Sequence, residues 1–329
     1  MKHPIFCDFA FLEGFINHLK GKDLIEYLNS GDDYGIDLYR LLFKSSNIEI
    51  DKTPEEIIQL SKINPYINTL LKSQSLKPSK VYETLDNATF LVDKIHPNAI
   101  FLIGKPKWEV IKLEEKYGIF FISKDEMSKS KRLFRLQNES FSDRKKFKDF
   151  EFFKQNQHPC NALILTDDYF FICGSRGNKI YDSNAVEVNL KPILKRLLPE
   201  KLAIDFHFTI ILSPNDVSLD FNRVKSDIKL ITDKYNYKIL INFIQWNFHE
   251  RHIFTNYYKI TADKGFRNLI KNSKNDGTRW EHPKNSFEFR SLFYSISKDN
   301  DYLEKIEECK IISNENKKHG DNFTNRLLQ

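Results

Sequence analysis

The sequence predicts an α/β protein of two domains, 1–125 and 159–329, joined by a basic linker over 126–158. Short apolar runs alternate with stretches of helical periodicity, the pattern of a largely parallel sheet covered by helices. That alternation stops near residue 126, where charged residues replace it, and resumes near Asn161. The length of 329 residues also suits two domains better than one.

In the first domain, 5–9 reads as a short strand ending near Asp8, and 11–28 as a helix. A second helix over 36–45 carries Ile36, Leu38, Leu41 and Leu42 at helical spacing. Thr53-Pro54-Glu55-Glu56 has a helix start signature: a cap, proline at the first position, then acids against the dipole. Residues 99–103 read as a buried strand, 107–117 as a helix and 118–122 as a further strand. Gly118 stands where a helix C-cap glycine is expected.

The linker is bracketed by Ser128-Lys129-Ser130-Lys131-Arg132 and Arg144-Lys145-Lys146-Phe147-Lys148. Lys145, Lys146 and Lys148, interleaved with phenylalanines, suit nucleic acid by charge plus stacking. The other reading is a helix that docks its phenylalanines and turns its lysines to water.

In the second domain, strands are expected over 162–166, 170–173, 203–212, 237–246 and 251–257, the last making a hairpin with 258–261. Helices are expected over 189–198 and 222–234. The tail 299–329 is polar and ends in a return strand or helix over 320–328.

The net charge is +6, with the excess in the middle and C-terminal parts and a slightly acidic 1–125. Such a balance fits a polyanion partner as well as ordinary solubilising charge. No apolar run approaches membrane-spanning length, and the start shows no signal-peptide pattern. The four cysteines show no Cys-x-x-Cys spacing, as expected of free thiols in a reducing cytoplasm.

The richest segment is Phe248-His249-Glu250-Arg251-His252-Ile253-Phe254-Thr255-Asn256. On a strand, residues two apart share a face, so His249 and Arg251 would project together. A neutral imidazole beside a guanidinium suits a phosphodiester, one attacking or bonding phosphorus and the other gripping oxygens. In strict alternation Asn256 falls on the opposite face from Arg251 and needs a turn or bulge to return.

This segment resembles the His-x-Lys-x4-Asp motif of the phospholipase D superfamily, with Arg251 in the lysine place and Asn256 in the aspartate place. The likeness to phospholipase D-like modules of bacterial conflict systems extends over 163–265. It implies His249 as nucleophile or phosphate contact, Arg251 as phosphate clamp, Asn256 as third member, and no metal cofactor. Active members use two motifs. Here one is present, so the resemblance implies a homodimer, or His207 or His252 as the second histidine.

Asp8 at the end of a first strand, with 99–104 and 117–123 later, resembles PIN-like nucleases. That likeness implies Mg²⁺ or Mn²⁺ at Asp8, held by carboxylates gathered at strand ends. Gly104-Lys105 stands where a further acid is expected, leaving Asp93 and Asp125 as the nearest alternatives. A helix N-cap is the other reading of Asp8.

Together these resemblances imply a cytoplasmic nucleic-acid-binding or nuclease-like component of a prokaryotic antiphage defence or toxin system. The alternative is a non-catalytic subunit that binds a partner protein.

Overall fold

Two sheets organise the computed structural model, one in each of two compact units, Met1–Arg135 and Leu136–Gln329. The structure describes residues 3–21, 23–29, 33–44, 46–86, 90–126, 139–141, 159–173, 180–213, 219–248, 250–263, 265–266, 287–292 and 301–329.

The first unit is built on β1 (His3–Cys7), β2 (Ser46–Ile50), β3 (Leu76–Pro78), β4 (Ile100–Ile103) and β5 (Phe120–Ser123). All pair in parallel, in the order β3-β2-β1-β4-β5. Strands β4 and β5 are buried along their whole length, as expected where helices cover both faces. The expected helix over 11–28 is two helices, Phe9–Leu19 and Leu24–Asn29. Thr53 closes a reciprocal capping box with Glu56 at the start of helix Pro54–Ile63. Gly118 ends helix Lys107–Tyr117 in the left-handed region, at φ 60°.

The second unit carries β6 (Glu139–Phe141), β7 (Ala162–Thr166), β10 (Phe206–Leu212), β11 (Ile239–Gln245), β12 (His252–Thr255), β13 (Tyr258–Ala262), β14 (Phe287–Ser291) and β15 (Lys318–Gly320). They form one mixed sheet, in the order β15-β11-β10-β7-β12-β13-β14-β6. Strands β7, β10 and β11 run parallel, while the other pairings are antiparallel. A separate pair joins β8 (Ile172–Cys173) to β9 (Ile180–Tyr181). Strand β6 lies within the span expected to be linker.

The core of this unit joins β7, β10 and β11 to the helical segments Val186–Leu190, Lys191–Leu197 and Phe221–Thr232. A further helix, Asp301–Glu315, rests on β12 and β13 through Tyr302, whose hydroxyl donates to Thr255 O at 2.6 Å. The C-terminal stretch adds β15 at the sheet edge, and Asn325 Nδ2 then donates to Leu163 O at 3.0 Å. Among the described residues no helix is long and apolar enough to cross a membrane.

Candidate functional site

Strands β7, β10 and β11 end nearly level, because Thr166 pairs with Ile211 and Leu212 with Gln245. Beyond Gln245 the chain has to reach β12, which lies on the far side of β7. Residues 246–248 and 250–251 therefore bracket a crossing over the carboxyl ends of β10 and β7. Trp246 N donates to Leu212 O at 2.9 Å at its start. At its end, Thr166 Oγ1 donates to Glu250 O at 3.0 Å and accepts from His252 N at 2.8 Å. Ligands of open α/β sheets gather at this edge, where backbone and loops converge.

Arg251 precedes β12 instead of lying within it, so the single strand expected over 251–257 is shorter. Its Nη1 donates to Asp263 O at 2.9 Å. Its guanidinium carbon lies 5.9 Å from the centre of the Tyr169 ring, and its Nε lies 3.9 Å from Asp167 Oδ1. Asp167 is 2% exposed. It accepts from Tyr169 N at 3.0 Å and from Phe266 N at 2.9 Å, tying two loops to the end of β7. Gly265, at φ +86°, completes the packing: a Cβ there would stand 2.7 Å from Asp167 Oδ2 and 3.1 Å from Arg251 Cδ. Arg251 is thus a fixed, half-buried cation at the sheet end.

His249 lies outside the described residues, as do Lys145, Lys146 and Lys148. Asn256 is described, and it does not join Arg251. Because β12 runs antiparallel to β7, Arg251 stands at the carboxyl end of β7 and Asn256 at its amino end, beside Asn161. Asn256 is fully buried. Its Oδ1 accepts from Asn161 N at 2.9 Å and Ala162 N at 3.3 Å, and its Nδ2 donates to Asn161 Oδ1 at 3.0 Å. The expected His-x-Arg-x4-Asn grouping is corrected accordingly: Asn256 pins the hairpin turn to β7. The turn needed to return it to Arg251 places it at the far end instead.

The candidate second histidines are structural in their contacts. His207 lies on β10 with its ring 4.7 Å from that of Phe323. His252 is buried, with Nδ1 3.1 Å from Thr261 Oγ1 and Nε2 2.9 Å from Glu250 Oε2. Lys305, on the helix Asp301–Glu315, reaches the same Glu250 oxygen at 2.7 Å. Burial holds His252 below its ordinary value, against the opposing effect of the hydrogen bond its Nε2 donates to Glu250. Burial pushes Glu250 up, but hydrogen bonds from Lys305 and His252 outweigh it and hold the carboxyl at about 2. One turn earlier, the buried Lys259 pairs with Asp301, which also faces Arg290 at 3.5 Å. Of these residues only His252 stood out in the sequence. The others are charged residues whose partners lie far along the chain, and only the pairing of β13 with β14 brings Lys259 and Arg290 together.

Strand ends also fix where other stretches leave the sheet. Ala262 N donates to Arg251 O at 3.0 Å, Ala262 pairs with Phe287, and Phe287 pairs with Phe141. The chain therefore leaves β13, enters β14 and leaves β6 at the edge that holds Arg251. These points lie within about 15 Å of one another, at the usual strand spacing. Downstream of Phe141 come Arg144, Lys145, Lys146 and Lys148. Between Ala262 and Phe287 come Lys264, Arg267, Lys271, Lys274, Arg279 and Lys284, against Asp263, Asp276 and Glu281.

In the first unit, Asp8 follows β1 at the switch point between β1 and β4. It caps helix Phe9–Leu19, with Oδ1 accepting from Phe11 N at 2.7 Å and Oδ2 from Gly104 N at 2.6 Å. Burial raises its carboxyl above the ordinary value, opposed in part by these two bonds. Asp51, at the end of β2, accepts from Phe9 N at 2.6 Å. Asp125 accepts from Lys107 N at 3.1 Å, and Asp93 is exposed on the turn Val92–Lys94. Among the described residues no group of three or more His, Cys, Asp or Glu could hold a metal ion. Asp8 accepts one backbone N–H on each carboxyl oxygen, and the described residues gather no group of three acids around it of the kind expected for Mg²⁺ or Mn²⁺. No protein-family model matches the sequence, and no curated protein matches it.

Proposed function

We propose that this chain binds nucleic acid at the carboxyl edge of the second sheet and holds it without cutting it. The single observation that carries this reading is convergence at one edge. Arg251 is fixed there, and the segments bearing Lys145, Lys146 and Lys148 and the basic 264–286 leave or enter the sheet at the same edge. Phosphate contacts from such cations supply most sequence-independent affinity for nucleic acids. The separation of Asn256 from Arg251 weighs against hydrolysis, because the expected third member does not support the phosphate side. A place in a prokaryotic antiphage defence or toxin system remains part of the proposal and rests on the resemblance to conflict-system modules.

Binding and cleavage measured in parallel on single- and double-stranded DNA and RNA, with and without EDTA, test the reading. The expected result is binding without cleavage, weakened in Arg251→Ala. Cleavage that survives EDTA and disappears in His249→Ala would overturn it in favour of phospholipase D-like hydrolysis. Cleavage abolished by EDTA but kept in His249→Ala would move the chemistry to the surroundings of Asp8. A folded protein that binds none of these polymers would favour a scaffolding subunit that recognises a partner protein.

A further inference from the structure

We infer that the polymer held at this edge is single-stranded, with a base stacked on Tyr169 and a neighbouring phosphate on Arg251; the inference rests on the nucleic-acid reading above. Tyr169 follows β7 in Asp167-Asp168-Tyr169-Phe170-Phe171. Its backbone is held on both sides: its N–H donates to Asp167 Oδ1 at 3.0 Å, and Phe170 and Phe171 are sunk in the core. Yet the residue is 48% exposed. An exposed aromatic is ordinary by itself. This one is aromatic surface held at a fixed place beside a fixed guanidinium, at 5.9 Å from the ring centre.

Asp167 shares its charge between Arg251 and two backbone N–H groups, so it offsets the guanidinium only in part. Asp167 and Asp168 are both buried. A second aromatic, Trp246, is 42% exposed at the end of β11. It stands two strands from β7, or about 10 Å at the usual spacing. Aromatic faces and a guanidinium at one sheet end match how single strands are held, by base stacking plus backbone charge. A duplex keeps its bases stacked on one another and offers phosphates and groove edges instead. Tyr169 would therefore add affinity for a single strand and none for a duplex.

The test measures binding of the full chain to short oligothymidine and to a duplex of the same length, for wild type, Tyr169→Ala, Tyr169→Phe and Arg251→Ala. Thermal unfolding of each variant controls for folding. Tyr169→Ala should lose about tenfold on the single strand, the usual scale of one base–aromatic stack. It should keep duplex affinity and an unchanged salt slope, because no charge is removed. Tyr169→Phe should bind as wild type. Arg251→Ala should weaken both polymers and lower the salt slope by about one. A Tyr169→Ala protein that binds the single strand as wild type does, or loses both polymers equally, overturns the inference. In that case Arg251-dependent binding would leave the nucleic-acid reading standing. If folded wild type binds neither polymer, the underlying reading fails and this inference with it.

Discussion

Asn256 and Gly265 show how far individual side chains decide the account. A carboxylate at position 256 would complete the motif on paper. In the fold, Asn256 is buried and donates to Asn161 Oδ1, so an aspartate there would bring a buried charge against an acceptor. Asn256→Asp should therefore cost about 1–3 kcal/mol of stability, the scale for a buried group left without its partner. Urea unfolding measures that loss, and a stability equal to wild type would contradict the role assigned here. Gly265 takes φ +86° with Asp167 and Arg251 where a Cβ would stand. Gly265→Ala should cost about 1–2 kcal/mol from backbone conformation alone. It should also weaken nucleic-acid binding, since Arg251 would lose its seat. Unfolding and binding titrations of the same variant separate the two effects.

Elements explain which expectations the sequence supported. Strands β4 and β7 and helix Lys107–Tyr117 were legible because their apolar residues and caps agree with one period. Strand β3, of three residues, carries too little pattern to read. Helix Asp301–Glu315 hid for another reason: its buried stripe of Tyr302, Ile306, Cys309 and Ile312 is narrow and set among many charged residues, so the stretch reads as a polar tail. The strand expected over 251–257 spans only His252–Thr255, because the chain turns at Asn256 and Tyr257, and that turn holds Asn256 at the amino end of β7.

The linked group of Lys305, Glu250 and His252 predicts how this unit responds to acid. His252 is depressed from 6.5 by burial, so its contribution is complete above 6.5 and is lost as pH falls below it. Glu250 is depressed from 4.5 to about 2, so its contribution is complete above 4.5 and is lost as pH falls toward 2. Thermal stability should therefore begin to fall below pH 6.5 and fall further below pH 4.5. Replacing His252 with Gln should flatten the first fall and leave the second. An identical pH profile for His252→Gln would remove His252 from this role.

For the whole molecule, the two-unit α/β architecture followed from alternation along the chain, but the binding edge did not. The sequence presents Lys145, Arg251 and Lys271 as distant neighbours in three separate segments. Antiparallel pairing of β12, β13, β14 and β6 brings the boundaries of those segments to one edge. Such pairing joins residues far apart in sequence and leaves no local periodic signal. The account also predicts that affinity is electrostatic, because each phosphate contact releases counterions and steepens the dependence on salt.

The most direct measurement is therefore the affinity of the full chain for nucleic acid across a salt series. It compares wild type with Arg251→Ala and with the triple variant Lys145→Gln, Lys146→Gln, Lys148→Gln. The account predicts a steep loss of affinity with salt in wild type, a slope smaller by about one in Arg251→Ala and by up to about three in the triple variant. Salt-independent binding, or folded variants with the wild-type slope, would contradict a binding surface at the carboxyl edge of the second sheet.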